Sequence, residues 1–345
     1  MQYVNDEESR QQITPEEYLE QRKRETRRRS WWGIGLGTAA VIFNVVLIWF
    51  LVNSPETAEE FGVSRRDFFS LLFRSIFFLL GLFFIVAGIW GLFEARRMTL
   101  EDLIPTPEAI EFYRQAEDVR PIYSYIILGC LIAVFFVQLG GERDVDGGMI
   151  SIFTAGLVKP DVWTKGEYWR ILTSGVLHGS ILHIYFNAQA FYGFGGLIEF
   201  ISNRAHLAIV FLLAIIGGGI MSTIFMPEGV SVGASGGIMG LIGYLAVYGY
   251  RRKRQLPPDF LRNMLVNIGF VAAFGLVAYQ IIDNFAHLGG LLIGVVYGFL
   301  TIPRDPAKNP RKVGAITEAA GMISMGVIVF ISILTILLLT GTIRF

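Results

Sequence analysis

Ser235 stands in Gly233-Ala234-Ser235-Gly236-Gly237, where a short polar stretch gives way to an apolar run and a helix should begin. A serine hydroxyl becomes a useful nucleophile only with a base within about 3 Å. The flanking glycines let another backbone approach closely, and the unpaired first-turn N–H groups of a helix can hold an oxyanion. His287, in Ala286-His287-Leu288-Gly289-Gly290, is the candidate base. Gly290, Gly294 and Gly298 share one helix face, and Gly236, Gly240 and Gly243 offer a matching surface. Two such helices can pack closely enough to bring hydroxyl and imidazole into hydrogen-bond range. His183 and Asn187 are four residues apart, hence on one face of a third helix. Both can donate hydrogen bonds to the negative charge that develops in acyl transfer.

Each of these residues also has a plainer reading. A glycine-flanked serine in a membrane helix is by itself more often a packing site, and a histidine–asparagine pair can be an interhelical clasp. A lone intramembrane histidine can be a structural hydrogen-bonder, a proton relay or a metal ligand. The Gly-x-Ser-x-Gly pattern marks a strand-to-helix elbow in soluble hydrolases, and nothing in this sequence reads as a strand. A zinc site could be assembled by count from His178, His183 and His287. HExxH is absent, however, and no carboxylate follows the first histidines at helical spacing, so no metal is expected. The single cysteine, Cys130, excludes an internal disulfide framework and any CxxC site; it reads as a small residue facing lipid or another helix.

The elements that must position these residues are membrane helices. Hydrophobic residues make up 53% of the 345-residue chain and charged residues 17%, against roughly 25% charged in a soluble domain. The formal net charge of zero gives no case for nucleic-acid binding. A span needs about 20 mostly apolar residues, and nine segments qualify, at 32–52, 75–93, 122–139, 181–201, 207–226, 235–250, 263–282, 285–302 and 319–340. With the N-terminus in the cytoplasm, 21 of the 29 Lys and Arg fall on the inside, among them Arg251-Arg252-Lys253-Arg254. In that topology the fourth, sixth and eighth spans all begin on the outer side. His183, Asn187, Ser235 and His287 therefore share one depth, a few residues below the outer surface. Polar residues placed there are costly and mark function by default.

The chain divides into a basic cytoplasmic tail (1–31), an N-terminal two-helix hairpin (32–93), a cytoplasmic linker (94–120), a core of six spans (121–303), and a final linker with one more helix (304–345). No removable signal peptide is expected, because the first 30 residues are polar and end in basic runs. Within the tail, Thr14-Pro15-Glu16-Glu17 carries a capping-box pattern and predicts a short solvated helix. Pro105, Pro107 and Pro121 punctuate the linker. The long outer loop at 140–180 holds Trp163, Tyr168 and Trp169, a composition suited to the membrane interface.

From about residue 121 to 303 the sequence resembles the rhomboid family of intramembrane serine proteases. The resemblance rests on Trp169-Arg170, His178, His183-Ile184-Tyr185-Phe186-Asn187, Gly196-Leu197-Ile198-Glu199, Gly233-Ala234-Ser235-Gly236 and Ala286-His287-Leu288-Gly289-Gly290, in that order. It implies an all-α membrane protein: a six-helix rhomboid-like bundle with two extra N-terminal helices and one extra C-terminal helix. It further implies a Ser235–His287 dyad without an acidic third member, and an oxyanion site made by His183, Asn187 and the Ser235 N–H. His178, Gly233, Trp169, Arg170 and Glu199 would be supporting residues, and no cofactor is expected. Substrates would be membrane proteins with a single transmembrane helix, cut near the outer face of the bilayer, with the outer loop and fifth core helix gating access. The implied location is the cell (inner) membrane, multi-pass, with the N-terminus cytoplasmic. One departure stands out: Met239 occupies the position one turn after the serine where family members often carry an aromatic ring, which implies a looser seat for His287. The competing reading is a non-catalytic rhomboid-like protein that binds membrane clients. A small-molecule transporter would show repeated halves and broken midplane helices, and no internal repeat is present.

Overall fold

The computed structural model describes residues 14–60, 62–100, 120–141, 150–257, 259–305 and 308–343. The start of the basic tail (1–13), the proline-bearing centre of the linker (101–119) and part of the outer loop (142–149) lie outside the described residues. Among the described residues nine long helices coincide with the nine expected spans: α1 (Pro15–Asn53), α2 (Ile76–Arg97), α3 (Ile122–Gly140), α4 (Ile181–Ile201), α5 (Arg204–Phe225), α6 (Ser235–Arg251), α7 (Phe260–Val277), α8 (Asn284–Thr301) and α9 (Ala315–Leu339). Seven of them are long and apolar enough to cross a membrane by length and composition; α4 and α6 fall short. The fold is an all-α, integral multi-pass membrane protein.

Three details depart from the sequence expectation. The tail helix does not stop before the first span: α1 runs unbroken for 39 residues from a Thr14–Glu17 capping box. Its Arg, Lys, Glu and Gln are good helix formers, and no proline interrupts them after Pro15. α7 ends at Val277 rather than 282, so a six-residue turn, 278–283, separates it from α8. Two short strands also exist, β1 (Leu157–Val158) and β2 (Val230–Ser231), paired antiparallel with Leu157 opposite Ser231. They tie the outer loop to the segment leading into Ser235.

The N-terminal hairpin packs through small residues. A Cβ on Gly37 would stand 2.4 Å from the Gly81 carbonyl oxygen, so α1 and α2 touch backbone to backbone there. Inside the hairpin, the Ser75 hydroxyl donates to Asn44 Oδ1.

In the body formed by α3–α9, α6 is the central helix: every residue from Gly236 to Gly249 is buried. A helix buried on all sides needs neighbours on all sides, and its glycines let them come close. A Cβ on Gly290 would lie 1.9 Å from the Gly236 carbonyl oxygen, and one on Gly294 would lie 1.9 Å from that of Gly240. The α6 and α8 backbones are thus in direct contact over more than one turn. The C-terminal helix α9 docks on α5, with Gly321 against the Ala205 backbone. Asn203 Nδ2 adds donations to Glu318 Oε1 at 3.1 Å and to the Arg311 carbonyl at 3.0 Å.

The α6–α8 contact predicts a contrast between two glycines. Gly294→Val should destabilise the protein by about 3 kcal/mol or more through overpacking. Gly129→Val, on α3 with nothing within 4 Å of its Cβ position, should leave the thermal midpoint in detergent unchanged. Equal midpoints for the two variants would refute the contact.

Candidate active site

Ser235 is the first residue of α6 and His287 the fourth of α8. Their side chains meet, with His287 Nε2 2.7 Å from Ser235 Oγ. His287 Nδ1 is buried and finds no hydrogen-bond partner among the described residues. The nearest carboxylate in sequence, Asp283, spends one oxygen on the Ala286 N–H at 2.9 Å and so acts as the N-cap of α8. The arrangement is therefore a pair of side chains with no third acidic member hydrogen-bonded to the imidazole.

His183 and Asn187 lie across the turn before Ser235. Ser180 caps α4 by accepting from the His183 N–H at 3.1 Å. This sets both side chains on the face turned toward Gly233. Gly233 has φ +134°, and a Cβ there would sit 2.8 Å from His183 Nε2 and 3.7 Å from Asn187 Nδ2. Both the conformation and the lack of space require glycine at this position. The Gly233 N–H bonds the Ser174 carbonyl at 2.9 Å, which fixes the turn from outside. His183 Nδ1 faces the Gly179 N–H at 3.4 Å, an arrangement that suits the tautomer with the proton on Nε2. Asn187 Nδ2 is buried without a partner among the described residues. An orphaned buried donor costs about 1–3 kcal/mol and is a ready site for an acceptor that arrives with a ligand.

The other sequence candidates support the frame. His178 is fully buried; its N–H and carbonyl are both held by the Gln138 amide, at 3.0 and 3.1 Å. Its ring meets that of His183 edge-on, centroids 5.1 Å apart. Arg170 lies over the Trp169 ring at 4.6 Å and pairs with Glu167. The Arg170 Nη1 donates to the carbonyls of Phe153, Thr154 and Gly156, which closes the C-terminal end of the short helix Ser151–Ala155. Glu199 works at the far end of α4, roughly 24 Å from His183 along the axis at 1.5 Å per residue. There it accepts from the N–H groups of Tyr123 and Ser124 and caps α3. Met239 is buried in the core. Among the described residues no cluster of three His, Cys, Asp or Glu is placed to hold a metal, so the three histidines counted above do not converge as ligands.

Sequence reasoning missed Gln138, the anchor of His178, and a buried carboxylate network around Asp283. Asp283 was legible as an Asx residue just before a helix, the usual N-cap signature. The spans expected at 263–282 and 285–302 leave it in the two residues between them, without a role.

Comparison with known proteins bears on this geometry. Residues 165–304 match the Rhomboid domain, a stretch that contains Trp169, His178, His183, Asn187, Ser235 and His287. This stretch of the chain is a rhomboid domain. The chain is 30% identical to the rhomboid protease GluP of Bacillus subtilis over 201 residues, 57% of this chain and 38% of GluP. It is 33% identical to RHOMBOID-like protein 6, mitochondrial, of Arabidopsis thaliana over 150 residues, 41% of this chain and 47% of that one. With the rhomboid protease GlpG of Haemophilus influenzae it shares 29% over 177 residues, half of this chain and 85% of GlpG. The chain thus spans less than half the length of the first two relatives. The rhomboid match takes in α4 to α8, the site helices among them, and leaves out α1, α2, α3 and α9.

His178, which precedes the fourth span, supports a pH prediction. Burial first, and neighbouring His183 second, push its imidazole down to about 3. The folded protein keeps it neutral while the unfolded chain takes up a proton below about pH 6.5. Its contribution to stability is therefore complete above pH 6.5 and is lost as the pH falls toward 3. Between pH 7.5 and 5, wild type should lose about 2 kcal/mol more stability than His178→Gln. Parallel losses in thermal unfolding would show that this ring does not titrate as described.

Proposed function

We propose that this protein is an intramembrane serine endopeptidase that cuts transmembrane segments of membrane proteins, with Ser235 as nucleophile and His287 as base. The observation that carries the reading is the 2.7 Å Ser235 Oγ–His287 Nε2 contact beside an unpartnered Asn187 donor. In the reaction, Ser235 Oγ attacks the scissile carbonyl as its proton passes to His287 Nε2. The carbonyl oxygen becomes an oxyanion held by Asn187 Nδ2, His183 Nε2 and the Ser235 N–H. Collapse breaks the C–N bond as the imidazolium gives its proton to the leaving amine. Water then repeats the sequence on the acyl-enzyme, activated by the same imidazole.

The charge bias supports a cytoplasmic N-terminus with the site near the opposite face; the cell (inner) membrane is the setting we assign with it. Substrates are then proteins with a transmembrane helix whose peptide backbone can be exposed close to that outer face. Two of the relatives above are named rhomboid proteases, and the third carries the name rhomboid-like without that word. A second reading, a client-binding protein without catalysis, would leave the paired hydroxyl and imidazole, and the empty donor beside them, without a use.

An alkyl fluorophosphonate tests the dyad directly: a Ser235 Oγ–P bond forms, the P–F bond breaks, fluoride leaves and His287 takes the proton. Wild type should be labelled and Ser235→Ala should not. Equal labelling of the two removes Ser235 as nucleophile, and no labelling of folded wild type favours the client-binding reading. Asn187→Ala should slow labelling by about 10²–10³-fold, the usual effect of losing one oxyanion donor. An unchanged rate would place Asn187 in packing.

A further inference from the structure

Behind the dyad lies a buried charge cluster that the reaction described above does not use. Lys159, in the short helix Lys159–Thr164 of the outer loop, is 2% exposed, and its Nζ lies 3.2 Å from Asp283 Oδ2. The same oxygen accepts from the Ser222 and Ser231 hydroxyls. Asp283 Oδ1 takes the Ala286 N–H at 2.9 Å, and the Asp283 carbonyl takes the His287 N–H at 3.1 Å. Burial pushes the Asp283 carboxyl up, but the two hydroxyls, the Ala286 N–H and the Lys159 cation together hold it below its ordinary value, so it is a carboxylate.

The four groups that meet the Asp283 carboxylate, three side chains and one backbone N–H, come from four different segments. Lys159 follows β1, and Ser222 lies in the last turn of α5. Ser231 ends β2, four residues before the nucleophile, and Ala286 directly precedes the base. Burying a lysine is expensive unless it is paired, and a simple helix cap would need neither the cation nor the second oxygen's donors. Asparagine caps a helix as well as aspartate does. What the charge adds is a single point to which the serine turn and the first turn of the histidine helix are both tied.

We propose that the Lys159–Asp283 ion pair is a positioning device that sets His287 against Ser235. The inference rests on the protease reading and adds residues to it: neither side chain touches the reacting atoms, and both act through the segments they hold.

The test uses the full-length protein and saturable labelling by an alkyl fluorophosphonate, with kinact and KI resolved. Asp283→Asn keeps the cap and leaves Lys159 buried beside a neutral amide; Lys159→Met leaves the carboxylate without its cation. Each should lower kinact on the order of 10²-fold with KI within about twofold, the signature of misplaced groups rather than lost binding. The double variant Lys159→Met with Asp283→Asn restores neutrality and should recover to within about fivefold of wild type. Thermal midpoints measured alongside correct every rate for folded fraction.

A kinact for Asp283→Asn within twofold of wild type would overturn the proposal. So would a double variant as slow as the product of its singles, or losses that vanish on correction for folded fraction. Wild type that is not labelled at Ser235 overturns the protease reading and this inference with it, whereas labelled wild type with uncoupled variants overturns only the inference.

Discussion

The direct backbone contact between α6 and α8 is the constraint on which the site depends. Helices in a bilayer gain little from burying apolar surface against one another, since lipid is as apolar as leucine; close packing of small residues has to hold them. Here Gly236 meets Gly290 and Gly240 meets Gly294, pairs that admit no side chain. Two such contacts fix axial register as well as separation. A slip of one residue would move a side chain about 1.5 Å along the axis and 100° around it. That exceeds what a hydrogen bond of 2.7 Å between Oγ and Nε2 tolerates. The distance between nucleophile and base is thus a property of the helix pair before it is a property of the two side chains.

Around that contact the buried polar atoms fall into two groups. Arg170, Gln138 and Glu199 are saturated: their donors or acceptors are taken up by backbone groups of the outer loop, of His178 and of α3. Asn187 Nδ2 and His287 Nδ1 are buried and have no hydrogen-bond partner among the described residues. In a medium of low dielectric an unmet donor is expensive and a met one is strong. Asn187 Nδ2 and His287 Nδ1 thus hold hydrogen-bonding capacity in reserve on two sides of the same serine.

Much of this was legible in the chain because it is written locally. Hydropathy located the nine long helices seen among the described residues, and the structure shows the bounds of α4 set by Ser180 at one end and the polar Ser202-Asn203 at the other. The glycine spacing announced which faces of α6 and α8 would meet. What escaped depends on partners far apart in sequence. The β1–β2 ladder joins segments more than 70 residues apart, and two-residue strands have no periodicity to detect. Lys159 and Asp283 fall in two connections far apart in sequence, and only the fold pairs the buried lysine with the largely enclosed carboxylate. The unbroken length of α1 was missed for the opposite reason. Its composition changes abruptly from charged to apolar, which suggests a boundary, but helix propensity does not change with it.

The small ladder has a mechanical meaning. From Leu157 onward the outer loop is joined to β2 by main-chain hydrogen bonds, to α8 by a buried cation, and to its own earlier helix by Arg170 and Thr173. Lifting it as a flap would drag the serine turn along and expose an unpaired lysine and carboxylate. Displacing α7 breaks far less, for only Phe260, Met264 and Gly275 of its 18 residues are buried. Local opening follows the segment with the fewest buried contacts. The stiff side of this molecule is therefore the loop that roofs the serine, and the compliant side is a wall helix that contributes nothing to the chemistry.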